Sequence, residues 1–154
     1  MPRPLSLWLL IAALVVLTLG GFAGAAGFLA DPTGQLMGMD EVLRQLPVPS
    51  YTLPGLFLLV IMGLYPLLLV YGLLARPRWA WADPLVRWSG AHWSWAGTLA
   101  LGLGLALWLA LQAAWIGFAA PVQWFTALLD LALLSLTLSP SLRRDLARPA
   151  SAAG

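Results

Sequence analysis

A single carboxyl, Asp130, lies near the middle of the apolar run PVQWFTALLDLALLSLTL, residues 121–138. If that run crosses a bilayer, a charged side chain there costs at least about 2.5 kcal/mol. The acid must therefore face protein or water. Low dielectric favours its neutral form, which can donate a hydrogen bond to a neighbouring helix. Gln123, Thr126, Asp130 and Thr137 recur at helical steps of three, four and seven, which draws one polar stripe along this segment. Gln112, near the end of the preceding apolar run, is the other strongly polar side chain deep in such a run, and no Lys or Arg lies at the depth of Asp130. Two chemistries follow. The stripe could be a proton or cation site in a small coupled transporter using Asp130. It could instead be an interhelical hydrogen bond or a contact to a partner subunit. A conducting path needs several ionisable groups in series. Here there is one, so the contact is the preferred reading.

His92 is the sole histidine, in Ala-His-Trp-Ser-Trp. One imidazole cannot supply bis-His haem ligation, although it could be one axial ligand with Met or water opposite. An interfacial histidine among tryptophans is the simpler account. Asp31, Asp40, Glu41 and Arg44 cluster between the first two apolar runs. An exposed ion pair there organises a loop and contributes under about 1 kcal/mol; a small-ligand site is the sharper alternative. The chain has no cysteine, which excludes disulfides, thiol nucleophiles and Fe–S clusters. No Ser–His–Asp set, HExxH, P-loop, paired carboxylates or metal-ligand cluster can be assembled. Neither a catalytic centre nor a cofactor is expected.

These residues are held in a chain of 154 residues that is 61% hydrophobic and 9% charged, with mean hydropathy +0.87. A soluble core of this length could not hide so much apolar surface, so the bilayer is the solvent. The formal net charge is only +2, and the arginines lie beside apolar runs, so nucleic acid is not an expected partner. The expected fold is all-α: a four-helix transmembrane bundle in one domain, with spans at about 5–29, 54–74, 93–114 and 121–138. A cleavable signal peptide competes for the first span, with Arg3 ahead of Leu5–Leu17 and Ala23-Gly24-Ala25 as cleavage site. The apolar run continues too far for an ordinary signal, so a span is preferred. Gly20, Gly24 and Gly27 in the first span, and Thr98, Gly102 and Gly104 in the third, suit close helix approach. Pro66, with Gly63 before it, predicts a kink in the second span, because it frees the carbonyl of Met62.

Between the first two spans, Asp31-Pro32-Thr33-Gly34 reads as a type I turn. Asp40 can cap a short helix over Glu41 to Leu46, ended by Pro47 and Pro49. The second loop, Arg76 to His92, mixes Arg76, Arg78 and Arg87 with Trp79, Trp81 and Trp88, as the headgroup layer favours. Asp83-Pro84 looks like a helix start there. Residues 139–154, with Arg143, Arg144 and Arg148, are expected to form a cytoplasmic tail without fixed structure. Four spans place seven arginines on the side of the termini and Arg44 alone opposite. The termini are therefore expected in the cytoplasm and the short helix outside. Eight of the nine tryptophans fall near the predicted interfaces, whereas Trp108 sits deeper and needs a partner.

Asp31-Pro32-Thr33-Gly34, Gly38-Met39, Tyr51 and Leu53-Pro54-Gly55 together resemble a group of small four-helix bacterial membrane proteins. Ala114-Trp115-Ile116-Gly117-Phe118, with Gln123 after it, fits the same group. The resemblance implies a four-helix fold in a bacterial inner membrane and transfers no activity and no functional residue. The expected partners are the lipid bilayer, other membrane-protein subunits or a homodimer. An accessory subunit or a binding or sensor protein is the preferred role. A transporter comes second, and an oxidoreductase component using His92 third.

Overall fold

The computed structural model describes residues 3–82, 84, 87–118 and 120–147. Among them the chain is helical, and four helices are long and apolar enough to cross a membrane: α1 (Leu5–Ala30), α3 (Thr52–Ala75), α4 (Trp93–Ile116) and α5 (Pro121–Leu138). A short α2 (Asp40–Leu43) precedes α3, and α6 (Pro140–Asp145) follows α5. The spans begin and end within two residues of the expected limits. At 1.5 Å per residue, α1 is about 39 Å long and α5 about 27 Å. A helix of the α5 length falls about 3 Å short of a hydrocarbon core of about 30 Å and lies at the low end of spanning lengths. The four apolar helices fit a small multi-pass membrane protein.

The spans are apolar on every side. On α1, Leu7, Leu10 and Leu14 are buried while Leu5, Leu9 and Leu19 are exposed. Leucine thus faces both the bundle and its surroundings, and the three- and four-residue steps between buried positions mark the packed face. The helices form a ring: α1 packs on α3 and α5, and α4 closes it against the same two, diagonally opposite α1. Burial of Leu69 and Leu73 on α3, Leu101 and Leu105 on α4 and Leu133 on α5 completes the core.

The α1–α3 seam is tight. A Cβ on Gly21 would lie 2.5 Å from the Met62 carbonyl carbon, so only glycine lets these backbones approach so closely. Of the expected glycines, Gly24 meets Leu58 of α3 and Gly27 meets Met37 of the loop, whereas Gly20 faces open space and the closest backbone approach falls one residue on, at Gly21. On α4 the same distinction holds: Gly102 meets Leu134 and Asp130 of α5, whereas Gly104 meets nothing. The irregularity expected around Pro66 takes a definite form. Leu58–Leu64 is π-helical, and Tyr65 N donates to Val60 O. The widened turn lies immediately before Pro66, which has no N–H for an α-type bond to Met62. Beyond it, the Tyr65 hydroxyl donates to Gly97 O at 3.1 Å and ties α3 to α4. Trp108 packs against the neighbouring α3, its ring stacked on Phe57 with centroids 4.2 Å apart.

At one end, the 31–51 loop caps the bundle. Gly34 N donates to Asp31 O at 3.1 Å, closing the expected turn. Gly34 has φ +81°, a left-handed conformation that glycine adopts freely, and the Tyr51 ring packs against it. Tyr51 is buried, stacks on Phe28 at 4.3 Å, and donates its hydroxyl to Met39 O at 2.8 Å. The short helix differs from expectation. It runs Asp40–Leu43, with Asp40 as its first residue and no side-chain cap bond. Gln45 N and Leu46 N then bond to Val42 O and Leu43 O, tighter i→i−3 turns that draw the chain in before Pro47.

At the opposite end, the tail expected to lack fixed structure instead continues as α6. Ser139 accepts from Leu142 N, Pro140 takes the first helical position, and Leu142 and Leu146 are buried. Leu146 O accepts from His92 N at 2.8 Å, and Ala147 pairs with Ala91. Two buried leucines explain why this segment docks, since each contributes about 1.5–3 kcal/mol. Arg3 donates to Leu74 O, and Ser6 meets Ser141, so the start of α1 and α6 meet at this end. Residues 148–154, and Asp83 of the expected Asp83-Pro84 helix start, lie outside the described residues.

Candidate functional site

Asp130 occupies the middle of α5, where Gln123, Asp130, Leu133 and Thr137 form the buried face. It is 4% exposed, and its Oδ1 has no hydrogen-bond partner among the described residues. Glycine at position 102 makes room for it: a Cβ there would lie 3.3 Å from Oδ1. The expected interhelical hydrogen bond to Asp130 is therefore not formed.

The rest of the polar stripe is bound elsewhere. Thr126 donates its hydroxyl to Val122 O at 2.8 Å, and Thr137 donates to Leu133 O at 2.6 Å. Both bonds lie within α5, the usual arrangement for threonine in a membrane helix. Gln123 serves the helix start: its Oε1 accepts from Ala120 N at 3.0 Å, and its Nε2 donates to Gly117 O at 3.0 Å. The same Nε2 reaches Gln112 Oε1 at 3.5 Å. The structure thus brings Gln112 and Gln123 together and leaves Asp130 apart from both.

A groove of about 310 Å³ runs along the α4–α5 seam over Asp130. Ala106, Ala110 and Ala113 line the α4 side, Ala127 and Leu131 the α5 side, and Phe118 of the α4–α5 connection also lines it. Small side chains keep it open, and its lining, Asp130 apart, is apolar. Leu107 of α4 and Leu128 of α5 are exposed beside it. Sequence reasoning finds Asp130 but not this groove, whose only advance trace is the run of alanines at helical spacing.

The other candidate groups are engaged locally. His92 caps α4: Nδ1 accepts from Ser94 N at 3.3 Å and meets Ser94 Oγ at 2.8 Å. Its Nε2 lies 3.0 Å from Pro77 O, which also accepts from Trp93 Nε1 at 2.9 Å. A carbonyl can only accept, so Nε2 carries the proton and Nδ1 the lone pair. Both ring nitrogens are engaged by the protein, and axial ligation would break one of these contacts. Around it, Trp79 stacks on Trp93 at 4.4 Å, Trp95 Nε1 donates to Thr137 O at 2.8 Å, and Arg143 lies 5.5 Å over the Trp95 ring. Arg76 pairs with Asp145 and donates through Nη1 to Asp145 O at 3.1 Å, fixing α6 beneath α3.

The loop cluster divides. Arg44 pairs with Glu41 at 3.2 Å, with both side chains about three-quarters exposed at 75% and 73%. Asp31 turns to its own loop: Oδ1 accepts from Thr33 Oγ1 at 2.6 Å and Thr33 N at 3.0 Å, and Oδ2 accepts from Leu36 N at 2.7 Å. The Thr33 hydroxyl first, then the Leu36 amide, hold its carboxyl below the ordinary 3.8. Burial first, then the nearby Asp40 charge, push the Tyr51 phenol above 10.0. These residues build the cap and do not converge on one cavity. No three His, Asp or Glu side chains among the described residues lie close enough to hold a metal ion.

No protein-family model, curated protein or solved structure matches the chain.

Proposed function

We propose that this is a non-enzymatic membrane protein that works by binding within the bilayer, as an accessory subunit or a binding or sensor protein of a bacterial inner membrane. The observation that carries this reading is the unpartnered Asp130 carboxyl beside an apolar groove at mid-span. Leaving a buried polar group unmatched costs about 1–3 kcal/mol, a cost that a bound partner removes. Asp130 is also the only acidic or basic residue within the four spans, and the neighbouring threonine hydroxyls bond to their own helix. That arrangement favours a contact over a relay. The seven-to-one division of arginines supports cytoplasmic termini.

The absence of cysteine makes single-cysteine variants clean probes. A benzophenone attached at Ala113→Cys, photolysed in native membranes, is expected to capture a discrete molecule, whereas one at Leu107→Cys captures bulk lipid. Bulk lipid at both positions overturns the reading. Proton flux in liposomes is expected to be the same for the parent protein and Asp130→Asn; flux that requires Asp130 makes the protein a transporter instead.

A further inference from the structure

The α4–α5 groove is a seat of limited length and defined chemistry. On α4 it runs from Ala106 to Ala113, seven steps or about 10 Å. That is two helical turns, the stretch over which two crossing helices touch. Alanines at 106, 110 and 113 repeat at steps of four and three, the spacing that admits a neighbouring backbone. Asp130 lines the same groove, is 4% exposed, and has an Oδ1 without a partner. We infer that the groove seats one transmembrane helix of a different protein, which carries a single Arg or Lys at mid-bilayer depth to pair with Asp130. This deepens the binding role proposed above and rests on it.

Charge complementarity selects this occupant. Ionisable side chains inside membranes pair with one another, and this chain holds an acid in its spans with no base at that depth. A second copy brings none either, because Arg44 lies in the 31–51 loop and the other described arginines lie at the opposite end of the bundle. An acyl chain fills the apolar lining but leaves the carboxyl unmatched. A basic side chain reaching over the alanine floor satisfies Asp130, and the two charges cancel.

The test uses the 154-residue chain in phosphatidylcholine vesicles, with its tryptophans as energy-transfer donors. The probe is a synthetic Leu/Ala transmembrane peptide with one central Arg and a dansyl group at one end; its control carries Leu at the centre. The Arg peptide is expected to associate at least about tenfold more tightly than the control, and Asp130→Asn to remove most of that difference. Ala110→Leu, which fills the groove at a non-core position, should abolish association, and Leu107→Ala on the adjoining exposed face should leave it intact. Equal association of both peptides, or association that survives Ala110→Leu, overturns the inference. If neither peptide binds but Ala110→Cys chains cross-link to one another, the occupant is a second copy: the inference falls and the binding role stands. If neither peptide binds and photolysis at Ala113→Cys yields bulk lipid, both fall.

Discussion

The two seams α1–α3 and α4–α5 are built from the same residue types and finished differently. At α1–α3, Gly21 lies against the Met62 backbone with no space for one further carbon. At α4–α5, the small residues Ala106, Ala110 and Ala113 border a groove, with an Asp130 Oδ1 that no described residue answers. Small residues in membrane helices thus have two uses here: to close a contact within the chain, and to keep one open. The polar group tells the two apart. Among the described residues, the open seam carries the unmatched Asp130 Oδ1.

The sharpest way to break that contrast is to enlarge both seams. Gly21→Val is expected to lower stability by about 3 kcal/mol, because the added carbons meet backbone that cannot turn aside. Reversible unfolding in mixed detergent–SDS micelles reads this directly, and a loss under about 1 kcal/mol would show that the seam yields. In the same assay Asp130→Leu should move the other way, raising the stability of the isolated protein by about 1–2 kcal/mol through removal of an unmatched polar group. A loss of that size would mean that the carboxyl already has a partner inside the chain. Ala110→Leu should change stability by under about 0.5 kcal/mol, because its side chain enters space that no core residue occupies.

A fourth, smaller effect contrasts Asp130 with Asp31, whose oxygens are fully engaged. Asp31 titrates below 3.8 in the folded loop, so its contribution is present above the unfolded value and fades as pH falls through the folded one. The Tyr51 phenol titrates above 10.0, so its contribution is present below that value and fades as pH rises through the folded one. Limited proteolysis of the 31–51 loop should therefore stay slow at pH 4 and accelerate only below it, with a matching loss above pH 10. Cleavage already rapid at pH 5 would contradict the hydrogen bonding of Asp31.

The spans were legible because uncharged runs of this length have few alternatives in water. The 31–34 turn was legible because Asp, Pro and Gly each act locally. Rotation of a helix about its axis is a different kind of information. Whether Gly20 or Gly21 meets α3 depends on an angle of about one residue, which a uniformly apolar sequence does not encode. The same holds for Gly102 against Gly104. The docking of α6 escaped because a six-residue helix carries too few positions to show a period, and its reward lies in Leu142 and Leu146 meeting distant partners. The threonines of the polar stripe misled for a related reason: spacing aligns Thr126 and Thr137 with Asp130, but a hydroxyl in a helix turns readily to the carbonyl four residues back.

The π-helical stretch Leu58–Leu64 leaves α3 out of phase with itself. Each of its hydrogen bonds encloses one residue more than an α-helical bond. Deleting one residue there would let an unbroken α-helix re-form with Tyr65, Leu69 and Leu73 close to their present orientation, because the wide turn is what absorbs that residue. Deleting one residue from the regular α turns beyond it would instead swing everything that follows by roughly a quarter of a revolution. The wide turn thus acts as a spacer: it takes up one residue and leaves the second half of the helix facing the core.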